Sequence, residues 1–216
     1  MRAQEKLLER VPERVRKQLG SGSSVCVLSG LDVFAPLASD CSIIMGCNPR
    51  IPHVIPGVMR AAEELDAVVT FELTRTEGGL DGGYTGQTPD RFVSTVLRHA
   101  EETRFSKPFV IHADHITITS DTPEERSQAG ELIAAQLAAG YTSFALDASF
   151  SPVATNAALV ASLATPIMEE GCSLEVELGE TKSGEQGRPL TEPEEAEEFL
   201  ALLAEKGIRP QLLAIN

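Results

Sequence analysis

Six short apolar runs divide the chain after residue 40: Cys41 to Gly46, Ala67 to Leu73, Phe109 to His112, Ser143 to Leu146, Leu174 to Leu178 and Leu212 to Ile215. Runs this short, bounded by turn residues, read as strands covered by helices on their outer side, which favours a parallel sheet. Helix signals lie between them. Thr88-Pro89, Thr122-Pro123 and a capping box of Thr191 with Glu194 mark N-termini. Gly140, Gly171 and Gly207 stand where left-handed C-termini fall, shortly before the next strand or its lead-in. The chain therefore reads βαβαβ.

Two architectures use that order, an open doubly wound sheet and a closed (β/α)8 barrel. Face polarity chooses between them. In Leu174-Glu175-Val176-Glu177-Leu178 the period of two puts three aliphatics on one face and both carboxylates on the other. Phe144 and Leu146 share a face while Asp147 ends the opposite one, and Phe109 and Ile111 oppose His112 and Asp114. Three successive strands are thus aliphatic toward helices and acidic or imidazole inside, near their C-terminal ends. That is the polarity of a TIM (β/α)8 barrel lumen opening onto a site. We assign residues 1–40 to an N-terminal helix and lead-in, and 41–216 to a barrel domain containing the first six strands. Within the lead-in, Glu5 to Leu19 reads as one charged helix, and Val25 to Leu28 as a strand-like piece beneath the barrel.

The charge narrows the partners. Eighteen basic against thirty-two acidic residues give a net charge of −14, which disfavours nucleic-acid backbones and anionic membranes. No apolar stretch approaches the roughly 18 to 20 residues of a spanning helix, and the charged N-terminus has no signal core. The four cysteines lack CxxC spacing and read as reduced thiols, so the expected location is the cytoplasm.

The densest chemistry is His112-Ala113-Asp114-His115 at a strand end. A histidine there can be satisfied by backbone, or it can ligate a metal beside a proton-carrying carboxylate. Asp147, Glu175 and Glu177 converge on the same lumen from strands that contain no Lys or Arg. Several buried carboxylates need a compensating cation, and a metal is the economical one. The glycine-bounded segment Gly179 to Gly187 is either a surface loop or a mobile loop that carries Glu185 over the site. Gly78 to Gly86 matches no phosphate-binding fingerprint and reads as a flexible loop on the active face. His53 and His99 read as solvated.

Four segments together resemble the class II, zinc-dependent fructose-bisphosphate and tagatose-bisphosphate aldolases. They are His112 to His115, Gly140 to Ser149, Leu174 to Gly179 and Thr191 to Ala196, in the family's order and spacing. The resemblance runs from about Ile43 to Asn216. It implies a metal-dependent TIM barrel that cleaves a ketose 1,6-bisphosphate to dihydroxyacetone phosphate and an aldehyde, as in glycolysis and gluconeogenesis, with Zn2+ and a further divalent or monovalent cation. By position it implies Asp114 as the proton donor serving the C4 hydroxyl and His115 as the first zinc ligand. Asp147 and Glu177 match carboxylates of a second metal position, and Glu185 matches the loop glutamate that exchanges the proton on dihydroxyacetone phosphate. Asn48 and Thr74 match substrate-side polar positions. The partner expected is a small sugar phosphate, and the full-length assembly a homo-oligomer, dimer or tetramer.

The sequence departs from that pattern at its end, because the second and third zinc histidines of the family follow strands six and seven. At about 30 to 40 residues per unit, eight units would need roughly 280 residues. A fragment of a longer aldolase, ending after the sixth strand, is therefore the expectation. The alternatives are a sugar-phosphate epimerase or isomerase using the same metal, and an inactive sugar-phosphate-binding fragment.

Overall fold

A computed structural model of the chain describes residues 2–179 and 190–216. Six parallel strands form one sheet in sequential order: β1 (Met45–Cys47), β2 (Val69–Thr74), β3 (Phe109–Thr117), β4 (Ser143–Asp147), β5 (Ser173–Leu178) and β6 (Leu212–Ile215). Between them lie α4 (Ile55–Leu65), α5 (Arg75–Gly78), α6 (Pro89–Thr103), α7 (Pro123–Ala139), α8 (Val153–Glu169) and α9 (Pro193–Glu205), with α1 (Arg2–Leu8), α2 (Glu13–Arg16) and α3 (Gly30–Leu37) leading in. Sequential order with parallel pairing is the TIM-type arrangement, here a six-stranded half-barrel with flanking helices. Among the described residues no strand joins β6 to β1.

The helix ends follow the local chemistry. Thr122 accepts the Glu125 N–H at the start of α7, with Pro123 at the first helical position. Gly140 closes the same helix at φ 113°, a conformation that would strain any residue with a Cβ. The capping box of α9 lies one residue beyond the expected one: Glu192 is the N-cap and Glu195 its partner, because Pro193 occupies the first helical position. Thr191 instead ties the strand ends together, accepting from Asn216 N and donating to the Leu178 carbonyl.

Two further expectations are corrected. Glu5 to Leu19 is not one helix, since Pro12 starts α2 anew after a break at Glu9 to Val11. The first strand is Met45–Cys47 rather than Cys41 to Gly46, because Ile43, apolar in the sequence, lies 94% exposed ahead of an edge strand.

The core is aromatic at the base of the sheet. Phe109 packs edge-on to Phe71 at 5.8 Å and against Phe105 at 5.7 Å, while Tyr141 bridges Phe92 and Phe144. The lead-in joins this core through Val11, Val15 and Val25 to Leu28. Val27 forms a parallel bridge to Phe109, and Gly30 N–H donates to the Thr142 carbonyl at 3.1 Å. The lead-in thereby covers the N-terminal end of the strands and leaves the C-terminal end clear for chemistry.

Candidate active site

The site begins with an irregularity in β3. Ala113 faces Phe144 and Ile116 faces Leu146, so Asp114 and His115 together stand opposite Ala145 alone. This bulge puts His115 at φ 44°, a region non-glycine residues seldom occupy. Its ring turns off the sheet, about half exposed, toward the ends of β4 and β5. Strain held at one residue by a rigid frame is characteristic of functional positions.

Around that ring stand three carboxylates. His115 Nδ1 lies 2.8 Å from Glu177 Oε1 and 3.6 Å from Asp147 Oδ2, and Nε2 lies 3.6 Å from Asp114 Oδ1. All three are ion-pair contacts of the imidazolium with a carboxylate. Asp147 and Glu177 hold the imidazolium proton and push the His115 pKa up to about 11. Burial raises Asp147, but the neighbouring His115 imidazolium and hydrogen bonds from the Ser149 hydroxyl and N–H outweigh it, leaving a net downward shift. For Glu177 and Asp114 burial prevails and both are raised.

His115, Asp147 and Glu177 offer donor atoms that all lie within 4.8 Å of one another. One imidazole nitrogen and two carboxylate oxygens at this spacing fit a divalent cation, which would replace the proton now shared among them. The resemblance divides these residues between two metal positions, whereas the fold gathers them at one point.

Beside Asp114 is a second assembly. Thr74 is in register with Asp114 across β2 and β3, and Thr74 N–H donates to Glu77 Oε2 at 2.9 Å. The same carboxylate, 2% exposed, also accepts from Asn48 Nδ2 at 2.9 Å, Tyr84 Oη at 3.0 Å and Arg50 Nε. Burial works to raise Glu77, yet these four donors hold it below the ordinary carboxylate range. Asn48 and Thr74 are thus brought together through a residue the sequence reading passed over. The signal was present, since Thr74 and Glu77 form a capping box on α5. Gly78 to Gly86, expected to be a flexible loop, is α5's last turn and a 3-10 turn at Gly83–Thr85, pinned by Thr85 Oγ1 donating to the Glu77 carbonyl.

One rung below, Glu72, His112 and Glu175 face the lumen. His112 Nδ1 is 2.7 Å from Ser143 Oγ, which accepts from Ser173 Oγ at 2.7 Å. Desolvation lowers the His112 pKa to about 3, so the ring is neutral. Burial and neighbouring carboxylates raise Glu72 and Glu175 to about 7. Glu72 was also passed over, although Thr70, Glu72 and Thr74 share a face by the same alternation. Of the two histidines expected to be solvated, His53 is exposed, while His99 is half-buried with Nδ1 3.1 Å from Glu102. Glu185 lies outside the described residues.

No curated protein matches the chain. Among solved structures, one described as a probable tagatose 6 phosphate kinase from Sinorhizobium meliloti 1021 is 27% identical. It aligns with 76% of this chain and 45% of its own length, at a TM-score of 0.63. The YdjI aldolase from Escherichia coli K12 is 21% identical, with 88% and 60% covered and a TM-score of 0.63. Fructose-bisphosphate aldolase from Campylobacter jejuni is 19% identical, with 88% and 58% covered and a TM-score of 0.60. The chain thus spans between 45% and 60% of the length of these structures. The family model for class-II fructose-bisphosphate aldolase matches residues 38–215, from the end of the lead-in through all six strands. The chain belongs to the class-II fructose-bisphosphate aldolase family.

Proposed function

We propose that this chain carries the proton-transfer and metal-holding groups of an aldolase site, which cleaves a phosphorylated ketose to dihydroxyacetone phosphate and an aldehyde and runs the reverse condensation. The observation that carries the reading is the convergence of His115, Asp147 and Glu177 beside Asp114 at the C-terminal end of three neighbouring strands. When bound there, a divalent cation such as Zn2+ supplies Lewis-acid stabilisation of the negative charge that develops as the carbon–carbon bond breaks. Asp114, whose pKa is raised by burial, takes the proton from the substrate hydroxyl in cleavage and returns it in condensation. Asn48 and Thr74, fixed by Glu77, orient the substrate hydroxyls next to Asp114. Glu185, in the sequence that follows β5, is the residue we assign to proton exchange on the three-carbon product.

The test is release of dihydroxyacetone phosphate from ketose phosphates by the Zn2+-loaded 216-residue chain, read with a coupled reductase. A chelator should abolish it, and Asp114→Ala should lower kcat by about 10²- to 10⁴-fold with unchanged circular dichroism. Release that survives both treatments would overturn the reading. A rearranged sugar with no three-carbon product would point to isomerisation.

A further inference from the structure

Glu177 brings its carboxylate to the His115 ring from a point where the sheet is running out. The last partners between β4 and β5 are Leu146 and Val176, one residue before it, whereas Glu177 itself is still in register with Ala214 of β6. Strand pairing therefore reaches Glu177 from β6 and stops short of it on the β4 side. A side chain from the helical layer takes over there. Asn156, in the first turn of α8, donates from Nδ2 to the Glu177 carbonyl at 2.9 Å.

The residue type at position 156 is otherwise unexplained. Asn156 is 0% exposed, on a helix whose buried face is built from Ala157, Leu159, Val160 and Leu163. Asparagine is a poor helix former, and its Oδ1 is buried with no hydrogen-bond partner among the described residues, which costs free energy. An aliphatic side chain would suit α8 better on both counts, but it could not donate to the strand end. The neighbouring carboxylate is held differently. Asp147 accepts directly at Oδ1 from Ser149 Oγ at 2.6 Å and from Ser149 N–H at 3.1 Å. Both supports come from the stretch that leads from β4 into α8, one acting on a carboxylate and the other on the backbone behind one.

We infer that Asn156 is a positioning residue for the metal-holding group: by fixing the Glu177 carbonyl it sets where the Glu177 carboxylate stands relative to His115 and Asp147. The inference rests on the reading of those three residues as a divalent-cation site and adds a residue outside the donor set. Displacing the backbone of a donor displaces the donor atom with it, so the loss of such a support is expressed in cation affinity.

Co2+ binding to the full 216-residue chain, followed by its visible absorption, tests this without turnover. Asn156→Leu should weaken Co2+ binding by about 10- to 100-fold with an unchanged circular dichroism spectrum. Ile167→Val, at the far end of the same helix, should lower the urea midpoint and leave Co2+ affinity within about twofold. Should Asn156→Leu fail to fold, Asn156→Ala removes the donor without adding bulk and should show the same loss. Unchanged Co2+ affinity in the folded Asn156 variant, or an equal loss in Ile167→Val, would overturn the positioning role and leave the cation reading intact. No Co2+ binding by the unaltered chain would remove the cation reading and the inference with it.

Discussion

Glu72 stands inward on β2, mostly buried, with Asp114, Glu175 and Glu77 as acidic neighbours and His115 as an opposing charge. Its pKa, about 7 against an ordinary 4.5, means that the folded state binds the proton more tightly than the unfolded state does. Stability contributed by that proton is full below about pH 4.5 and is lost as pH rises through 7. Glu72→Gln should therefore raise the thermal midpoint by a few degrees at pH 8 and leave it nearly unchanged at pH 4.5. Differential scanning calorimetry at the two pH values reads this directly, and equal shifts at both would refute it. At this scale the sequence was informative wherever alternation governs. Asp114, Asp147 and Glu177 were found by it, and Glu72 was available to the same rule. The His115 backbone was not legible, because a bulge with positive φ at a histidine leaves no mark in residue type or spacing. Nor was the burial of Glu77, whose four donors come from two loops and a strand end.

Helices and strands were more readable than residues. Pro89 opens α6, Thr122 and Gly140 bound α7 as their chemistry dictates, and β6 falls where its apolar run lies. The misplacements have local causes: proline at position 12 divides a charged stretch, and Pro193 shifts a cap by one residue. The apolar run at Cys41 was misleading because an edge strand needs little burial. Two glycines in helices make a paired prediction. Gly30 opens α3 against β5, and a Cβ there would come within 1.9 Å of Ser173 Oγ and 2.7 Å of the Phe34 ring. Gly30→Ala should cost about 1–3 kcal/mol in urea denaturation. Gly130, inside α7, has nothing nearer than Leu163 at 4.0 Å, so Gly130→Ala should stabilise by about 0.5–1 kcal/mol. Reversal of the two signs would mean that α3 does not seat against β5 as described.

Taken whole, the half-barrel presents β1 and β6 as edges, and apolar side chains cluster there: Ile43 is 94% exposed, Met45 63% and Ile215 62%. Open edges with apolar neighbours pair with other chains unless charge keeps copies apart. The net charge of −14 supplies that repulsion at low ionic strength, and salt screens it. Light scattering should therefore show association rising between about 0.05 and 0.5 M salt, and Ile43→Lys with Met45→Lys should suppress it. Salt-independent scattering would argue against the edges as the contact. The Glu77 carboxylate has a different bearing on the molecule. Because it draws donors from the segment after β1, from the end of β2 and from the turn at Tyr84, the first two loops of the catalytic face behave as one inherited unit. An engineer grafting a new loop after β1 alone would remove Asn48 and Arg50 and strand a buried anion. Loop exchange in this scaffold must therefore carry both segments together, and natural variation in one is expected to be matched by compensating change in the other.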